Sequence, residues 1–161
     1  LLELISELPV KTILDAEGEL LLEGLKGKPN IIKPNLYELE TALKTKLNSH
    51  RDIVQGARAF IKKGVNIVAV SLGGEGALIV DDKKAYYAPG LKVEVKGTAG
   101  AGDSFVAGLC LAIEEEKEIV DMLRYGVAAA TASVMQEGTA LCNRKDFEQL
   151  LPRVEIEKLN I

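Results

Sequence analysis

Residues 65–73, VNIVAVSLG, make a run in which Val65, Ile67, Val68, Ala69 and Val70 are apolar and mostly β-branched. A strand of this pattern has no face to offer to water, so it belongs inside a sheet covered on both sides. Directly before it, NSHRDIVQGARAFIKKG opens on Ser49 with Asp52 three residues on, a capping pattern. Its apolar residues Ile53, Val54, Ala57, Phe60 and Ile61 share one helical face, and Gly64 suits the stop. A helix running into a doubly buried strand is the unit from which parallel α/β sheets are built.

The rest of the chain repeats that alternation. LLELISEL has helical spacing up to Pro9, and Thr12–Leu14 predicts a short strand closing on Asp15. AEGELLLEGLKG predicts a helix ending near Gly27, NIIKPN a strand broken by Pro34, and LYELETALKT another helix. GALIVDD and KAYYAPG flank a polar turn and predict a hairpin, with KVEV as one more strand. DSFVAGLCLAIEEE, EIVDMLRYGVAAATASVMQEG and RKDFEQLL read as helices, and VEIEKL as a last strand. The expected fold is a Rossmann-like, three-layer α/β/α arrangement with a mainly parallel sheet, in one domain over residues 1–161. Such sheets bind ligands beyond the carboxyl ends of their strands. KPNLYE, SLGGEG and GTAGAGD all follow strands and are expected to converge on that edge.

Charge and composition narrow the partners. A net charge of −4 argues against a broad nucleic-acid or acidic-membrane surface, so an anionic ligand must be held by local groups. Two distant cysteines, Cys110 and Cys142, and one histidine, His50, fit neither a zinc site nor a disulfide scaffold; reduced thiols in the cytoplasm are expected. No apolar run approaches the roughly 18 residues of a membrane span. The chain begins without Met in what reads as a helix, so a fragment of a longer protein is expected.

Three loops hold residues suited to chemistry. In KGTAGAGDSFVAG, Gly100, Ala101 and Gly102 leave the backbone open at a helix start, where free amides and the helix dipole bind phosphate without lysine. The spacing is neither Walker A nor the dinucleotide GxGxxG. Asp103 stands in the first turn, either as a helix-start charge or as the group that orients an acceptor hydroxyl and takes its proton late in phosphoryl transfer. Asn35 and Glu38, three apart in KPNLYE, form either a cap or an amide–carboxylate pair suited to hydrated magnesium, and Lys33 could reach a phosphate. Ser71, Gly73, Gly74 and Gly76 in SLGGEG either let a flat or anionic ligand approach the backbone or only turn the chain. VAAATAS, from Val127 to Ser133, serves close helix packing or lines a pocket for a flat aromatic ligand.

In order and spacing, NLYE, SLGGEGAL and GAGDSFVAG together resemble the ribokinase-like sugar kinases of the PfkB carbohydrate-kinase family, through nearly the whole chain. The resemblance implies the ribokinase-like fold, ATP and Mg2+, and a sugar phosphate as acceptor. It implies that Gly100, Ala101 and Gly102 form the anion hole, that Asp103 is the base, and that Asn35 and Glu38 order magnesium. Ser71, Gly73, Gly74, Glu75 and Gly76 would contact the nucleotide, with Val127 and its neighbours on the adenine side. IIKPNLYEL, with Lys33, and GTALC look most like the branch acting on hexose phosphates, which includes 1-phosphofructokinases and tagatose-6-phosphate kinases, the former favoured. Many members begin the glycine motif with Asp, near a monovalent cation; Gly97 stands there in this chain, which puts potassium activation in doubt. Family chains are about twice as long, and their N-terminal half and lid supply most sugar contacts and a homodimer interface. This half alone is therefore expected to keep the nucleotide site and to phosphorylate sugar weakly or not at all. Two other classes stay open, a non-catalytic nucleotide-binding module and a structural α/β domain.

Overall fold

The structure is a computed structural model that describes Ile5 and residues 8–138 and 140–161. Most of the helix expected over LLELISEL lies outside the described residues. The rest divides into two compact units. The first comprises the residues up to Leu72 with Leu78–Ala85 and Leu159–Ile161; the second comprises Gly73–Ala77 and Tyr86–Lys158.

In the first unit, β1 (Ile13–Leu14), β2 (Ile31–Ile32) and β3 (Ile67–Ser71) run parallel, in register Ile13↔Ile31 and Ile31↔Ile67. Next to β3 lies β4 (Gly76–Val80), whose first two residues belong to the second unit. Val68, Ala69 and Val70 of β3 are fully buried, as a strand without a polar face must be. The helices are α1 (Gly18–Gly24), α2 (Leu36–Leu43) and α3 (His50–Ile61). Helix α3 starts where its sequence predicts: Ser49 Oγ accepts from Asp52 N at 3.2 Å and donates to Asp52 Oδ2 at 2.8 Å. Its Ile53, Val54, Ala57 and Phe60 are buried, and the chain turns away at Gly64.

The second unit pairs β5 (Ala85–Pro89) antiparallel with β6 (Glu157–Lys158). KVEV, expected as a strand, forms no regular element; Lys92, Glu94 and Val95 are exposed, and among the described residues no strand pairs with the segment to satisfy its backbone. Helices α4 (Ala101–Glu114), α5 (Ile119–Val134) and α6 (Arg144–Leu150) complete the unit. Backbones of α4 and α5 meet at two glycines: a Cβ on Gly108 would lie 2.5 Å from Tyr125 O, and one on Gly126 would lie 2.8 Å from the Phe105 ring. Small residues here set how near two helices come, and Val127, Ala128, Ala129 and Ala132 of the adjoining VAAATAS are buried too.

A part-buried hydrogen bond links the residue that ends α4 to α5. Tyr125 donates its hydroxyl to Glu115 Oε2 at 2.7 Å, and its ring meets Phe147 edge-on at 5.5 Å. The Glu115 hydrogen bond, and burial second, push the Tyr125 phenol up to about 12. The same bond holds the Glu115 carboxyl below its usual range. For Tyr125 the folded value is the higher one, so the bond stabilises fully below the unfolded value of about 10 and is lost as pH rises through the folded value. Glu115 is depressed, so its share is present above the ordinary carboxylate range and lost as pH falls below it. Tyr125→Phe is expected to lower the urea midpoint at pH 7, with the deficit shrinking toward pH 12; a deficit constant over that span would show the bond does not matter.

Candidate active site

At the carboxyl ends of the first unit's parallel strands, three sequence-predicted positions come together. Lys33 follows β2 and is only 6% exposed, so its charge requires a partner. Asp15, just beyond β1, provides it with Oδ1 at 3.2 Å. In the sequence Asp15 marks only a strand end, because its pair with Lys33 exists only through the β1–β2 register. Asn35 forms an isolated parallel bridge with Ser71, and Ser71 N donates to Pro34 O at 3.1 Å.

Asn35 and Glu38 make a complete capping box at the start of α2. Glu38 N donates to Asn35 Oδ1 and Asn35 N donates to Glu38 Oε2, both at 2.8 Å. The cap is thus present, and it fixes where the two oxygens point. It uses Glu38 Oε2 and leaves Oε1 outside the box. A hydrated magnesium asks for one or two carboxylates beside substrate phosphates, so this donor set fits such an ion. Among the described residues no group of three or more His, Cys, Asp or Glu gathers as an all-protein metal cage.

In the second unit, helix α4 begins at Gly100 with φ +72, a left-handed conformation that favours glycine. No side chain caps this start. Ala101 N donates weakly to Thr98 O at 3.4 Å, while among the described residues the amides of Gly102 and Asp103 find no backbone carbonyl. Two N–H groups at the positive end of a four-turn helix are therefore open to an anion. Asp103 is exposed, with Oδ2 3.9 Å from the point where a Gly100 Cβ would sit.

A cavity of about 400 Å³ adjoins this corner, lined among others by Gly73, Gly74, Val95, Ala101, Phe105 and Thr131. That size and mostly apolar lining suit a flat ring system. The glycines of SLGGEG separate here into two kinds. A Cβ on Gly73 or Gly74 would meet nothing within 4 Å, so both border open space. A Cβ on Gly76 would lie 2.0 Å from Ala88 O, so that glycine is required by backbone packing. Glu75 takes part through its carbonyl, which accepts from Tyr87 Oη at 2.8 Å and from Gly90 N at 3.2 Å. Val127 is buried at 4% exposure and is not among the cavity's lining residues; Ala130, Thr131 and Val134, further along α5, line it instead. Thr131 falls within VAAATAS, whose pocket-lining reading it carries, whereas nothing in the sequence marks Phe105 or Gly90 as cavity residues. Counting Val127 forward by helical steps of three and four reaches Ala130 and Thr131, the signal for that part of the lining.

The pattern of the pfkB family carbohydrate kinases matches residues 7–146. The 1-phosphofructokinase of Escherichia coli (strain K12) is 34% identical over 148 residues, which is 92% of this chain and 47% of that protein. Phosphofructokinase-2 from Escherichia coli, solved in complex with substrates and products, superposes with a TM-score of 0.88 at 32% identity, covering 95% of this chain and 51% of that one. Ribokinase from Thermotoga maritima superposes with a TM-score of 0.77 at 26% identity, covering 92% and 51%. The chain spans about half the length of these relatives. Its fold is the ribokinase-like three-layer α/β fold, with a mixed sheet that is mostly parallel in the core. Among the described residues no helix is long and apolar enough to cross a membrane.

Proposed function

The chain belongs to the pfkB family of carbohydrate kinases, and from that premise we propose that the complete protein phosphorylates a hydroxyl of a sugar phosphate, using ATP and Mg2+. The observation that supports this most is the start of α4: left-handed Gly100, two open amides at Gly102 and Asp103, and an exposed carboxylate in the same turn. Those amides hold the oxygens of the migrating phosphoryl group, whose charge is spread over them in a loose transition state. Asp103 orients the acceptor hydroxyl and receives its proton as the new O–P bond forms and the bond to the leaving nucleotide breaks. Gly73 and Gly74 let the nucleotide approach the backbone, and Phe105, Thr131 and Val95 form walls for its base.

In the first unit, Glu38 and Asn35 would hold magnesium and its waters, with the capping box fixing the direction of both side chains. Bound magnesium supplies charge neutralisation for the phosphates. Lys33, steadied by Asp15, contributes a positive charge suited to a phosphate.

Fructose 1-phosphate is the acceptor we propose, with fructose 1,6-bisphosphate as product. The likeness to a 1-phosphofructokinase, together with Lys33 in IIKPNLYEL, supports it. The 34% identity to the ATP-dependent 6-phosphofructokinase isozyme 2 of Escherichia coli (strain K12), equal to that with the 1-phosphofructokinase, supports fructose 6-phosphate as the second reading. The test is ADP release by the complete protein with fructose 1-phosphate, fructose 6-phosphate, tagatose 6-phosphate and ribose. The highest kcat/KM is expected with fructose 1-phosphate. A higher value with another sugar phosphate moves the acceptor, and turnover with none of the four rejects the proposal.

A further inference from the structure

We propose that Leu141 is a positioning residue of this site, one that keeps water from the corner where Gly100 and Asp103 meet, so that the sugar hydroxyl and not water receives the phosphoryl group. The inference rests on the kinase reading above.

Leu141 lies in the irregular segment before α6 and is 53% exposed, so it adds little to any core. Its position is nonetheless specific. A Cβ placed on Gly100 would come within 2.4 Å of Leu141 Cδ2, and 3.9 Å from Asp103 Oδ2. An apolar methyl and the carboxylate therefore flank one point, directly over the left-handed glycine that opens the helix. Among the described residues of the second unit, the exposed large hydrophobic side chains are Val95 and Leu141. Val95 lines the cavity and Leu141 covers Gly100. Both apolar groups that this unit leaves in water thus border the proposed site.

The chemistry gives that placement a use. A loose transition state accepts any oxygen nucleophile lying in line, so a water beside Asp103 would do what the sugar does. Its oxygen would bond to phosphorus as the bond to ADP breaks, its proton would pass to the carboxylate, and inorganic phosphate would leave. A side chain that cannot hydrogen-bond offers such a water no anchor, and the sugar displaces it without loss.

The test is phosphate release from MgATP by the complete protein without sugar, with the sugar-dependent rate measured in parallel. Leu141→Ala and Leu141→Ser are expected to raise sugar-independent hydrolysis about tenfold, a barrier change of about 1.4 kcal/mol. Leu141→Met, which keeps an apolar side chain of similar volume, is expected to restore the wild-type level. Hydrolysis at the wild-type level in both the Ala and Ser variants, with sugar-dependent transfer intact, overturns this role and leaves the kinase reading standing. Absence of sugar-dependent transfer in the wild type overturns the kinase reading and this role with it.

Discussion

Replacing Asp103 by Asn in the complete protein is expected to lower sugar-dependent phosphoryl transfer about a thousandfold, with nucleotide affinity changed by no more than about threefold. Asn keeps the size and planarity of the carboxylate, so only the charge and the ability to take a proton are removed. The side chain is exposed, and its loss leaves no buried group unsatisfied. Folding loses only the favourable meeting of a negative charge with the helix start, about 0.3–1 kcal/mol. A fall in kcat with KM nearly constant marks an interaction made only in the transition state. Steady-state kinetics of ADP release, paired with calorimetric titration by MgATP, reads both quantities. Unchanged turnover would assign Asp103 to the helix start alone. Nucleotide binding without turnover in the wild type would favour a binding module.

The same residue shows how far the sequence could be read. Local features were legible because their causes are local. Ser49 and Asp52 announce α3, and Asn35 and Glu38 announce α2, through hydrogen bonds within four residues of chain. Gly100 was legible as a small residue before an aspartate. What could not be read depends on which residues tertiary packing brings together. KVEV alternates like a strand, yet alternation does not say whether a neighbouring strand pairs with it, and among the described residues none does. Asp15 lies 18 residues from Lys33, and only the register of two short strands joins them. Leu141 is separated from Gly100 by two helices' worth of chain, and nothing in GTALC marks it as the group that lies over that glycine. Asn35 and Glu38 hold a further lesson. A cap and a metal ligand look like alternatives in the sequence, but the box employs one carboxylate oxygen and one amide oxygen in ways that leave coordination capacity.

Gly76→Ala is expected to destabilise the protein by about 4 kcal/mol, whereas Gly74→Ala leaves stability within about 0.5 kcal/mol of wild type. Both glycines belong to one motif, and from the sequence they are equivalent. At Gly76, φ is +105 and the new methyl would lie 2.0 Å from Ala88 O, 2.6 Å from Gly90 N and 2.8 Å from Pro89 C. All three atoms are backbone, so no rotamer change relieves the overlap; β4 and the chain at Pro89 must separate. Gly90 tightens the same corner, since a Cβ there would lie 2.1 Å from Gly74 O. At Gly74 a methyl enters open space on the cavity side. It meets no protein atom within 4 Å, yet it stands where the nucleotide is proposed to approach the backbone. The two variants should therefore fail in opposite ways. Gly76→Ala lowers the urea midpoint, and any residual nucleotide affinity falls with the folded fraction. Gly74→Ala unfolds like wild type and binds MgATP more weakly, by about tenfold if the methyl displaces a phosphate or base contact worth about 1.4 kcal/mol. Equal affinity in Gly74→Ala and wild type would remove SLGGEG from the nucleotide site and leave it as the tight turn that Gly76 and Gly90 already make it.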